Sequence, residues 1–278
     1  MGNLWIGPPG SLYEIDQAAK SFERAADLGV AEFKALSGQV TITRNATPVR
    51  RIKLSWDLLP PEDARVLDRL ARRVDGAGPL VLIDPAAGNV LSAAQAAGKG
   101  PTGSAGITQW FKVSVNGTLA ETTPGVFAFT AADATSNLGW RCNQWTNGGL
   151  ANFPAPPGLR VSFRAPTAFA ALGTCAVGLD FKRADGSVIS SVSAAGPFVA
   201  GTTPAGTVYL TPTAKPGTAG TYALAGACLT YGGDTAADNV PGDGLPTMSI
   251  TGYSDTPGRP LPHRTVGIDL VEVTSATG

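Results

Sequence analysis

Beyond residue 107 the chain is a succession of short β-type runs, each closed by Gly, Pro, Asn or Asp before a long helix can form. That punctuation is the tightest constraint on the fold. Inside a helix, Gly costs about 1 kcal/mol and Pro about 3 kcal/mol relative to Ala, and the chain carries 35 Gly and 22 Pro. The clearest runs are residues 107–115, 126–130, 159–164, 174–183, 187–192, 207–210, 221–231, 248–251 and 265–273. Leu159, Val161 and Phe163 recur at every second position, as do Val177, Leu179 and Phe181, the period of two that marks a strand with one buried face. Ala184-Asp185-Gly186-Ser187 supplies an Asp-Gly hairpin turn between two such runs. Nine short strands with turns between them predict a β-sandwich, jelly-roll-like, over residues 107–278.

Residues 1–92 are built differently. They hold 22 of the 42 charged side chains, 11 of each sign. Val40 and Ile42 alternate, then Ile52, Leu54 and Trp56, with a turn at residues 45–48, so the two runs are expected to form an antiparallel hairpin. Pro60-Pro61-Glu62-Asp63 opens the one clear helix: proline is tolerated in a first turn and acids suit the positive dipole end. Its apolar stripe is Leu67, Leu70, Ala71 and Val74, with Arg65, Arg69, Arg72 and Arg73 opposite, and Asp75-Gly76-Ala77-Gly78 ends it. Residues 80–83 read as a buried strand. Residues 17–30 leave two readings, a helical stripe of Ala18, Phe22, Ala25 and Ala26 or an ordered loop. The expected architecture is therefore mainly β: a small β module with one α-helix at 1–92, a Gly/Ala/Ser/Thr linker at 93–106, and the sandwich.

Bulk charge excludes little by itself, yet 21 basic and 21 acidic groups offer no sign of a basic face for nucleic acid, and the local cluster Arg44, Arg50, Arg51 and Lys53 reads as a solvated strand face. The first ten residues lack the basic and apolar regions of a secretory signal, and no apolar run reaches the ~18 residues of a membrane span. Cys142, Cys175 and Cys228 are odd in number and widely spaced, which predicts buried thiols rather than disulfides or zinc ligands.

Candidate chemistry is sparse, and no cofactor is implied. A glycosidase needs two carboxylates across a cleft, but after residue 92 there are two Glu and eight Asp with no pair marked out. His263, the only histidine, lacks a Gly-x-Ser-x-Gly partner motif, and Gly98-Lys99 lacks the Ser or Thr of a phosphate loop. No enzyme is expected. Asp234, Asp238 and Asp243 in a Gly-rich loop have oxygen ligands for calcium, though Asp in such loops ordinarily makes turns. The sugar-compatible group is Trp140, Arg141, Asn143 and Trp145, flat aromatic faces beside guanidinium and amide donors. Against it, a Trp in a strand is more often core.

An ordered set of segments carries a family resemblance: Leu36-Ser37-Gly38, the Arg-rich strand ending in Leu54-Ser55-Trp56, and Leu59-Pro60-Pro61-Glu62-Asp63. Gly78-Pro79-Leu80, Ile83-Asp84-Pro85 and Asn89-Val90-Leu91 follow. This third of the chain resembles the N-terminal module of minor tail or distal-tail-like proteins of long-tailed actinobacterial phages. The resemblance implies a tube-docking β module that assembles into a ring, hexameric in the family, in the virion tail after synthesis in the host cytoplasm. Residues 179–189 and the closing strand near 266–274 resemble jelly-roll carbohydrate-binding modules. The expected function is a structural tail-tip protein whose partners are further copies and other tail proteins. The alternative is a glycan-binding host-recognition module, for which Trp140 or Trp145 would have to be exposed.

Overall fold

The computed structural model describes residues 4–45, 48–76, 78–84, 86–147, 150–233 and 239–273. The protein is mainly β, and it divides into two compact units, each made of two chain segments: Met1–Glu14 with Val81–Leu245, and Ile15–Leu80 with Pro246–Gly278. This differs from the division expected at residues 92 and 107. Residues 246–273, expected to help close the sandwich, group with Ile15–Leu80 instead.

In that smaller unit the strand Val49–Leu59 is the organising element. One edge pairs with Ser21–Asp27 and the other with Arg264–Glu272, which in turn pairs with Thr247–Pro257. Residue pairs Ile52–Leu270, Leu54–Ile268 and Trp56–Val266 sit directly opposite each other, and all six side chains are buried. Pro61–Ala71 is the predicted helix, with Pro61 in its first turn beside Glu62 and Asp63. Its buried Ala64, Leu67 and Leu70 fall at i, i+3 and i+6, and the helix packs on Thr247–Pro257. It ends earlier than expected because Arg73 turns into the left-handed region at φ 54°, which leaves Val74 exposed.

Two expectations for this unit are corrected. Residues 21–27 are a strand, neither helix nor loop: sheet pairing with Val49–Leu59 outweighs the weak helical stripe. Asp27 ties the edge by accepting two hydrogen bonds from Arg51, at 3.2 and 2.9 Å. Val40–Thr43 does not pair with residues 50–56 but with Ala31–Lys34, through a turn in which Gly38 adopts φ 84°. Alternation identifies a strand but leaves its partner open.

The larger unit is the sandwich. One layer is a sheet ordered Val188–Ala195, Ala176–Lys182, Tyr209–Lys215, Leu138–Trp140, Trp110–Lys112, with Phe153–Pro154 also on Tyr209–Lys215. Two three-stranded sheets oppose it. One is Gly220–Ala223, Val126–Ala131, Gly117–Thr123; the other is Phe198–Thr202, Arg160–Arg164, Cys228–Tyr231. Aromatic contacts bridge the layers: Trp110 on Phe127 at 5.6 Å and Trp140 edge-on to Phe163 at 5.0 Å between centroids. The alternating Leu159, Val161, Phe163 and Val177, Leu179, Phe181 all point into this core. The Asp-Gly turn joins its two strands as predicted, with Gly186 at φ 83° and Asp185 accepting the Ser187 N–H at 2.9 Å.

Residues 93–106 are not a loose linker. Ser92 and Gln95 form a reciprocal capping box on the short helix Ala93–Ala96, and a second short helix covers Ser104–Ile107. Gln95 is buried, donating to the carbonyls of Gln109 at 3.0 Å and Arg141 at 2.6 Å. A capping side chain that also bonds two distant carbonyls pins the segment to the sandwich.

Candidate functional site

Three places bear on function: the residues expected to touch sugar, a cleft beside two of them, and an exposed arm on the smaller unit. Of the expected sugar contacts, Trp140 is fully buried and lies against Phe163. Trp145 is also buried, its Nε1 donating to the Leu245 carbonyl at 2.9 Å. Neither indole offers a face to a ligand, so the aromatic half of the expected site is corrected to core. The strand register explains the placement: Trp140 pairs with Trp110, and both rings project between the sandwich layers.

Arg141 and Asn143 do remain accessible, and the structure brings them together at a cleft of about 290 Å³. Arg141 is pinned through its backbone, its N–H donating to the Gln109 carbonyl at 3.0 Å and its own carbonyl accepting from Gln95. Its guanidinium lies 5.2 Å from the centre of the Phe111 ring, a cation–π geometry. Asn143 Nδ2 donates to Thr108 Oγ1 at 3.3 Å. Ser92, Gln95, Gln109 and Gln144 complete the polar wall, with Val90, Phe153 and Leu245 on the apolar side. Cys142 also lines it; burial pushes that thiol up to about 12, so it stays neutral at physiological pH.

Other expected chemistry disperses. Asp234 and Asp238 lie outside the described residues, and Asp243 accepts the Gly88 N–H at 3.0 Å. Among the described residues no three His, Cys, Asp or Glu side chains converge as a metal site. All three cysteines are buried free thiols, as the spacing predicts. Asn89, present in the sequence only as part of a motif, proves to be a fully buried junction. Its amide donates to the Ala227 and Val240 carbonyls and accepts the Leu91 and Leu229 N–H groups, all at 3.0–3.1 Å.

The arm has no counterpart in the predicted sites. Ala31–Lys34 and Val40–Thr43 form a two-stranded hairpin in which every strand residue is exposed. Phe33 is 68% and Ile42 61% accessible, and Leu28, Val30, Leu36 and Val40 are exposed beside them. The register puts Glu32, Lys34, Val40 and Ile42 on one face and Ala31, Phe33, Thr41 and Thr43 on the other. The alternation that signalled a strand was the available clue; nothing local to it says whether the apolar face is covered.

A scan against protein-family models and a search of curated proteins each returned no match. Solved structures give partial overlaps. The enzymatically active domain of bacteriophage CBA120 tailspike protein 4 is 11% identical over 51% of this chain and 21% of that one, at a TM-score of 0.32. The Gap123 glycosylation-associated complex of Streptococcus agalactiae is 13% identical over 44% of this chain and 41% of that one, also at 0.32. The CBM22-1–GH10 part of a Clostridium thermocellum xylanase is 12% identical over 47% and 27%, at 0.27. The chain spans less than half the length of each of these proteins, and overlaps of this size settle neither fold nor activity here. No helix among the described residues is long and apolar enough to cross a membrane.

Proposed function

We propose that the protein is a structural subunit of a phage tail tip that joins further copies of itself into a ring through its smaller unit. The observation that carries this reading is the arm. A lone two-stranded hairpin is marginally stable in water, and this one holds Phe33, Val40 and Ile42 in solvent rather than against a core. Its strands are therefore built to be completed by another surface. The two faces suit a second copy: Glu32 and Lys34 bring opposite charges next to Val40 and Ile42 on one side, so neighbouring arms meet charge with charge and apolar with apolar. Ser21–Asp27, the outer strand of the smaller unit's sheet, is mostly exposed and offers an edge of the kind proteins ordinarily cover or pair. Identical subunits joined head to tail close into a ring when the rotation permits. The tail location rests on the ordered segments of residues 36–91 and on nothing else.

The experiment is the mass and symmetry of the full chain by light scattering and negative-stain microscopy, beside the Phe33→Ser/Ile42→Ser variant. Rings from the parent and monomers from the variant are expected. A parent that stays monomeric at all concentrations, alone and with purified tail tubes, would sink the reading. So would a variant that assembles as the parent does.

A further inference from the structure

The cleft beside Arg141 has a property that the smaller unit's comparable depression lacks. In the latter, Arg65 and Arg264 are balanced by Asp68 and Asp255 on the same wall, and Arg264 makes two hydrogen bonds to Asp255 at 2.7 and 2.8 Å. Among the described residues no Asp or Glu lines the Arg141 cleft, and Arg141 is the one charged side chain on it. Among those residues Arg141 has no ion-pair partner, and its guanidinium has only the Phe111 ring beside it.

We infer that this cleft binds a single carboxylated sugar unit, a hexuronic acid, with Arg141 holding the carboxylate and Asn143 and Gln144 holding ring hydroxyls. Arginine presents a planar fork of N–H donors that matches a carboxylate bidentately. Leaning on Phe111, with its backbone held from both sides, it loses little freedom on binding. Asn and Gln amides each offer donors and an acceptor, the complement of a hydroxyl that is both. Asn143 has its Oδ1 in hand after Nδ2 is committed to Thr108. A volume of about 290 Å³ stands at the lower end of small-ligand pockets, room for one sugar ring and its substituents rather than a long chain. The apolar wall of Val90, Phe153 and Leu245 meets the C–H face of such a ring. The neutral Cys142 thiol adds no opposing charge.

The inference is independent of ring assembly, since the whole cleft lies within the sandwich unit. The test is titration of the full-length protein with sodium glucuronate, glucose and sodium acetate, followed by NMR chemical-shift changes. Saturable millimolar binding of glucuronate is expected, with glucose and acetate each roughly tenfold weaker or worse. Arg141→Met, which keeps the stem over Phe111 and the backbone contacts, is expected to abolish glucuronate binding while leaving the thermal melt in place. Asn143→Ala is expected to weaken it several-fold. No saturable glucuronate binding overturns the inference. Acetate binding as well as glucuronate reduces the cleft to a general anion site and also overturns it. Unchanged affinity in a folded Arg141→Met protein places the ligand elsewhere.

Discussion

The strand Arg160–Arg164 and the strand Val40–Thr43 are written in the same local grammar, apolar and polar residues in turn, and they meet opposite fates. Val161 and Phe163 are fully buried between two sheets, whereas Val40 and Ile42 stand in solvent on a hairpin. The difference lies in the neighbours. Arg160–Arg164 is flanked on both edges, by Phe198–Thr202 and Cys228–Tyr231, and roofed by Trp140. Val40–Thr43 has one partner of four residues and, among the described residues, no roof. Burial of an apolar side chain is worth about 1.5–3 kcal/mol, so the first strand holds its unit together while the second is free to hold something else.

Substitutions sharpen or break that contrast. Phe163→Ala removes the ring against which Trp140 packs and is expected to cost about 3–5 kcal/mol in urea unfolding. A loss below about 1 kcal/mol would mean the layers are not joined there. Asn89→Ala strands two carbonyls and two N–H groups inside the sandwich unit and is expected to cost about 3 kcal/mol by the same measurement. Gln95→Ala removes half of a capping box and leaves two carbonyls unmet, with an expected cost of about 1–2 kcal/mol. On the arm, Ile42→Thr is expected to change the unfolding free energy of the dissociated subunit by less than about 0.5 kcal/mol. A large destabilisation there would show that the arm is core after all.

The smallest effect is one of pH. Glu121 accepts the N–H of Gly125 and that of Gly103, and those bonds hold its carboxyl below the ordinary 4.5. A carboxylate lowered in the folded state stabilises it in full at neutral pH. That contribution is lost as pH falls below the ordinary value and through the depressed one. Glu121→Gln is accordingly expected to flatten the acid limb of the melting curve and to leave the rest of the pH profile parallel to the parent's.

Much of this was legible beforehand, for identifiable reasons. Short alternating runs and an Asp-Gly turn carry their own geometry, so the sandwich strands and the 184–187 hairpin could be read locally. Pro61, Glu62 and Asp63 marked the helix start because capping is decided within one turn. Pairing across long separations was not legible: nothing in Arg264–Glu272 says that it will lie beside Val49–Leu59 rather than complete the sandwich. For Trp140 and Trp145, residue type offered both a sugar platform and a core anchor; the register with Trp110 decides the first, and burial against Leu245 the second. Arg141 and Asn143 stay accessible because they lie off the buried stripe. Val40 and Ile42 read as strand residues without any sign of what they face.

The return of the chain's last segment to Ile15–Leu80 has a consequence for synthesis. Arg264 emerges about 200 residues after Leu59, and at roughly 5–20 residues per second a ribosome takes on the order of 10–40 s to supply it. Throughout that interval Val49–Leu59 must wait with one edge open and Leu54 and Trp56 lacking their opposite partners Ile268 and Val266. The sandwich unit, complete at Leu245, has every residue it needs before the smaller unit does. A nascent chain stalled at residue 245 should resist protease across the sandwich while remaining open to cutting between residues 15 and 80.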